Sequence, residues 1–177
     1  MSALKTAFIG PWIFLSVLIS CLGQSPLARP GYSKSEWELS DAPIKPLVEG
    51  RILASLIDAH KDEYQEDEKD ELKATALRST VKFARLDGRG RIGIEVKTVP
   101  PWCGATGNCE VLLFDSKTGD LLVHGDGWDY GFRRTTHHGV FDFYVRQNMS
   151  AGSGTRYEYQ FDGKVYQQVD SRTGEQY

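Results

Sequence analysis

The chain has 177 residues, a formal charge of −3, 40% hydrophobic residues and 11% aromatic residues. That length suits one domain with its own core and excludes a multidomain enzyme. The apolar and aromatic content excludes a disordered chain, and the mild acidity excludes a broad basic footprint for nucleic acid.

Residues 1–20 read as an export signal. Lys5 is the only charge before Arg29, and Ala7 to Leu22 is nearly all apolar. A short basic start and a short apolar run describe a secretory leader. A membrane span needs about 20 apolar residues; this run is shorter, and Pro11 interrupts it. Leu18-Ile19-Ser20-Cys21 resembles the bacterial lipobox, in which the cysteine thiol takes a diacylglyceryl group and becomes the new N-terminus. The resemblance implies a mature chain starting at Cys21, lipid-anchored in the cell envelope. A conventional cut after Gly23 or Ala28 would instead release a soluble periplasmic or secreted product. Residues 21–45 read as a flexible tether, broken by Pro26, Pro30, Gly31 and Pro43. Trp37 is the one residue there suited to dock on a folded body.

Residues 46–177 read as a single helix-plus-sheet domain. Pro46 can open a helix at its first position. Leu47, Val48, Ile52, Leu53, Leu56, Ile57 and His60 follow at helical spacing, which predicts a helix over 46–61. His60 ends that stripe and reads as a half-buried terminal residue rather than a ligand. The run KDEYQEDEKDE at 61–71 carries seven acids. It reads as a solvated helix extension or loop, without the alternating ligands and glycine of an EF-hand.

From residue 78 the apolar period becomes two. Val81 and Phe83, then Ile92, Ile94 and Val96, alternate with polar positions. Val111 to Phe114 is a short apolar run, and Leu121–His124, Phe132–His138, Phe141–Val145 and Tyr157–Phe161 continue the pattern. Asp162-Gly163 between alternating residues is a hairpin signal. A two-residue turn there pairs Phe161 with Lys164 and Tyr159 with Tyr166. The expected fold is therefore mainly β within the α+β class. One N-terminal helix covers an antiparallel meander of seven or eight short strands.

Cys103 and Cys109 flank a loop with two glycines. Closing that seven-residue ring stabilises by about 2.4 kcal/mol on the chain-entropy estimate. A metal pair would need two further close-set ligands, and the spacing is not that of zinc sites. A disulfide is expected, in keeping with export.

Arg85-Leu86-Asp87-Gly88-Arg89-Gly90-Arg91, Cys103-Gly104-Ala105-Thr106-Gly107-Asn108-Cys109 and Val111-Leu112-Leu113-Phe114 together resemble a set of uncharacterised secreted or lipid-anchored bacterial proteins. Those carry a D-x-N-x-D-G loop, a strand, a C-G-x-T-G-N-C loop and an apolar strand. Tyr159 to Tyr166 is similar to their closing hairpin, so the likeness spans about residues 78–170. The group has no assigned activity, and the resemblance implies fold and export but no reaction. The Asp loop is distantly similar to calcium loops of FG-GAP and VCBS-type repeats. Here Arg85 and Arg89 stand where acids would be, leaving Asp87 alone. A plain turn accounts for it better than calcium.

The densest polar cluster is His124-Gly125-Asp126-Gly127-Trp128-Asp129-Tyr130, with His137-His138 downstream. A small envelope hydrolase or a metal-binding protein could use His124, Asp126 and one of His137 or His138. Glycine and aspartate suit turns equally well, and adjacent histidines in a strand face opposite ways. Trp102, Trp128, Tyr130, Tyr157, Tyr159 and Tyr166 could form an aromatic binding surface. The expectation is thus a non-enzymatic exported binding module. Its partner would be an envelope protein or a glycan, with no nucleic acid, no cofactor, no metal and no catalytic residue assigned.

Overall fold

Val111 to Phe114 is apolar at every position, and a strand of that kind must be covered on both faces. The computed structural model, which describes residues 30–33, 35–150 and 153–174, meets that requirement with three layers. Leu112 and Phe114 face helices, whereas Val111 and Leu113 face a second sheet.

Two short strands, β1 (Gly31–Tyr32) and β2 (Trp37–Glu38), open the described chain. Helix α1 (Pro46–His60) and helix α2 (Lys69–Leu77) follow. Eight longer strands complete the fold: β3 (Thr80–Arg85), β4 (Ile92–Lys97), β5 (Cys109–Asp115), β6 (Leu121–Gly127), β7 (Asp129–His137), β8 (Val140–Ser150), β9 (Ser153–Phe161) and β10 (Tyr166–Thr173). The first sheet runs β1-β3-β4-β5-β6, with β2 also on β3; the second runs β10-β9-β8-β7. Every pairing is antiparallel.

One core lies under the helices. Val48, Ile52 and Leu56 of α1 and Leu72 and Ala76 of α2 pack on Val81, Ile94, Val96, Leu112 and Phe114. The other lies between the sheets, where Leu86, Val111, Leu113 and Val123 meet Phe143, Val145, Tyr159, Phe161 and Tyr166.

The expected mainly-β α+β architecture holds, and several finer expectations are corrected. The meander is two sheets, not one, because the chain leaves the first at Gly127 and enters the second at Asp129. Among the described residues there are two α-helices where one was expected. The acidic run forms two 3-10 turns and then α2, since Leu72 and Ala76, one helical turn apart, supply an apolar stripe. The segment 31–41, read within the tether, is packed down: β1 and β2 pair with β3, Trp37 lies edge-on to Phe83, and Leu39 is fully buried. The leader, Cys21 and the first part of the tether lie outside the described residues.

The last hairpin is also out of the expected register. Tyr166, not Lys164, pairs with Phe161. Asp162 Oδ1 accepts the Lys164 and Val165 amide protons at 2.8 and 2.9 Å, drawing the turn out to four residues. Those bonds pull the Asp162 carboxyl down to about 2. A slip of two residues keeps every side chain on its face, so Tyr159, Phe161 and Tyr166 still share the core. Asp87 behaves as a turn residue, its Oδ1 accepting the amides of Arg89 and Arg91, each at 2.8 Å.

Cys103 and Cys109 form the expected disulfide. Its loop is joined to the second sheet by a reciprocal pair of bonds: Asn108 Nδ2 donates to the Asn148 carbonyl at 2.7 Å, and the Asn148 amide donates to Asn108 Oδ1 at 2.8 Å. Replacing both cysteines by serine is expected to cost about 2 kcal/mol. The readout is a lower urea midpoint that matches the reduced wild type.

Candidate functional site

Two polar sites lie on opposite faces of the first sheet. The inter-sheet face carries the first. Glu95 on β4 pairs with Lys82 on β3 and with Leu113 on β5, so its side chain is aimed between the sheets. It is only 1% exposed. Tyr32 from β1 and Tyr130 from β7 lie beside its carboxyl and favour its charged form, yet Oε2 has no hydrogen-bond partner among the described residues. Such an atom is costly inside a fold. Burial pushes the Glu95 carboxyl up to about 7, against the lowering influence of Tyr130, Tyr32 and Lys82. Burial, and then the charge of Glu95, push the two tyrosine hydroxyls up as well.

This carboxyl lines a cavity of about 520 Å³ with Tyr32, Ser33, Glu36, Lys82, Lys97, Trp128, Asp129 and Tyr130. The two cations each have a partner: Lys82 Nζ meets Glu36 at 2.8 Å, and Lys97 sits over the Tyr130 ring at 5.9 Å. Asp129 is held by Arg146 at 3.1 Å. The Tyr32 and Trp128 side chains are both partly exposed at its rim.

The helix-side face carries the second site, at the end of the sheet beyond α1. Glu110 pairs with Asp126 and Leu112 with His124, which puts Glu110, His124 and Asp126 on one face of β5 and β6. His124 Nε2 lies 3.3 Å from Glu110 Oε1. The other carboxylate oxygen, Oε2, lies 2.9 Å from Nε2 of His60. His60 is buried at the end of α1, its Nδ1 2.9 Å from Glu63. Its ring stacks on the Trp102 indole at 3.9 Å and 4°, and Trp102 Nε1 donates to Tyr64 Oη at 3.1 Å. Burial works to raise the Glu110 carboxyl, but the two histidines beside it hold it below its usual range. The bond to Glu110 raises His124 in turn.

The sequence-predicted residues divide between these places. Trp128 and Tyr130 line the inter-sheet cavity. Trp102, Tyr159 and Tyr166 are buried and Tyr157 half-buried, so these four serve as packing rather than as a surface. His124 and Asp126 come together, but neither His137 nor His138 joins them in the metal-capable cluster. His137 instead pairs with Asp142 at 2.6 Å on the second sheet, lining a separate pocket. His138 sits in the β7–β8 turn with φ of 50°. Sequence reasoning passed over Glu95 and Glu110, and it read His60 as a half-buried helix end, whereas His60 is buried against Glu110. A glutamate alternating with Ile94 and Val96 was a signal for the first; nothing local linked His60 to Glu110, fifty positions on. No protein-family model matches the chain, and neither a curated protein nor a solved structure matches it.

Proposed function

We propose that this is an exported, lipid-anchored, non-enzymatic binding module of the bacterial cell envelope, and that its ligand is a saccharide taken into the inter-sheet cavity. The leader, the lipobox-like Cys21 and the disulfide support the envelope setting. One observation carries the ligand class: a buried carboxylate oxygen without a partner lines a cavity that also holds two tyrosines and a tryptophan. A sugar hydroxyl would donate to the Glu95 carboxyl where it lines the cavity, and aromatic rims stack on the apolar faces of pyranose rings. The balanced charges of Glu36, Lys82, Lys97 and Asp129 favour a neutral ligand with many donors and acceptors over an ion. The Glu95 position costs stability when ionised, and such groups cluster at functional sites.

The test is a titration of tryptophan fluorescence with soluble peptidoglycan fragments and with a tetramer of β-1,4-linked N-acetylglucosamine. Binding is expected, and Trp128→Ala and Glu95→Leu should each weaken it at least tenfold. A response that survives both substitutions, or none with either glycan, would overturn the saccharide reading.

A further inference from the structure

We propose that Glu110, His124 and Asp126 form a binding site for one Zn²⁺ ion on the helix-side face of the first sheet, with His60 as a positioning residue for Glu110. This site is separate from the Glu95 cavity and does not depend on it, because the two lie on opposite faces of the first sheet.

One ligand atom from each of the three residues lies within 4.8 Å of the others. With metal–ligand bonds of about 2.1 Å, neighbouring donors in a tetrahedral zinc site are about 3.4 Å apart. The His124–Glu110 separation of 3.3 Å already meets that spacing. Only Asp126 must close in, and it is exposed. One imidazole and two carboxylates make a mixed N/O set suited to zinc. Calcium would want six to eight oxygens, which this site does not offer. The fourth position opens onto a cleft of about 420 Å³ lined by Trp102, Asn108 and Gln147 as well as Glu110 and Asp126.

The surroundings are built to hold one ligand still. Glu110 turns Oε1 to His124 while His60 holds Oε2 at 2.9 Å. His60 is in turn fixed by Glu63 at 2.9 Å and by the stacked Trp102 ring. Ligating carboxylates are oriented by hydrogen bonds from outer groups such as His60, and losing such a partner typically costs 10–100-fold in metal affinity or activity.

The experiment is equilibrium dialysis of the full mature chain against Zn²⁺, with bound zinc quantified by mass spectrometry. One equivalent is expected, undisplaced by millimolar Ca²⁺. His124→Ala and Asp126→Asn should weaken retention at least tenfold. His137→Ala, on the other sheet, should leave it unchanged. His60→Leu should weaken it about tenfold, and His60→Gln, which keeps a donor toward Glu110, should restore most of that loss. Circular dichroism confirms that each variant is folded. No retained zinc, zinc retained equally by His124→Ala, or a loss in His137→Ala instead would each overturn the site. Equal affinities for His60→Leu and His60→Gln would overturn the positioning role.

Discussion

Replacing Glu95 by Gln is expected to stabilise the protein above pH 7 by about 3 kcal/mol, and to change little below pH 4.5. The Glu95 carboxyl is raised from 4.5 to about 7 in the fold, chiefly by burial. Between those two values the folded state keeps a proton that the unfolded chain has released. Folding therefore weakens as the pH rises through that window and levels off above it. Two and a half units correspond to about 3 kcal/mol, an order-of-magnitude figure. Glutamine is neutral throughout and can still accept from Tyr32 and Tyr130. Urea midpoints of wild type and Glu95→Gln at pH 4.5, 6 and 8 isolate this group from the rest of the titration. Curves that stay parallel across the three would show that Glu95 is not protonated on folding. A protein that keeps a destabilising carboxylate at neutral pH is expected to gain something by it. On the proposed saccharide reading the gain is an acceptor in the cavity, so the stabilised variant should bind the test glycans less well.

Gly127→Ala should cost roughly 3 kcal/mol, at the top of the range for overpacking. A Cβ at Gly127 would stand 2.5 Å from both the Arg146 carbonyl oxygen and Val145 Cγ1. Neither neighbour can give way. Val145 is fully buried between the sheets, and the Arg146 carbonyl also accepts the Trp128 amide at 2.9 Å. The substitution would have to push apart β6 and β8 where the chain changes sheet. Gly50 in α1 provides the contrasting case. A Cβ there meets nothing within 4 Å, so Gly50→Ala should stabilise by about 0.5–1 kcal/mol through helix propensity alone. Denaturant midpoints of opposite sign for the two variants are the expected result. A Gly127→Ala protein as stable as wild type would show that the two strands can separate there without loss.

Much of the secondary structure was legible, because faces repeat locally. Ile92, Ile94 and Val96 alternate with Gly93, Glu95 and Lys97, and that rhythm marks a strand wherever it packs. Pro46 and the stripe ending at His60 marked α1 in the same way. The missed elements had weak or mixed local signals. Leu72 and Ala76 were masked by the acids around them, and the Asp162 turn grew by two residues through side-chain bonds that no pattern of apolar residues records.

The candidate sites were less legible. His124 and Asp126 were visible as a pair two apart in the sequence, and the strand register puts them on one face. Their partner Glu110 came from the neighbouring strand, and His60 from a helix end. Trp102, Tyr159 and Tyr166 suited a binding surface or a core equally by their sequence and are core, since an aromatic ring carries no mark of which side of a sheet it will meet.

The sequence by itself determined the α+β composition, a run of seven or eight strands, the first helix and the closeness of Cys103 to Cys109. Each of these depends on neighbours a few positions apart. Only the tertiary structure decided that the strands divide into two sheets, that Glu95 is enclosed between them, and that His60 reaches Glu110. Those outcomes rest on contacts between segments far apart in the chain. Periodicity states that a face will be buried, and the packing of distant segments settles against what.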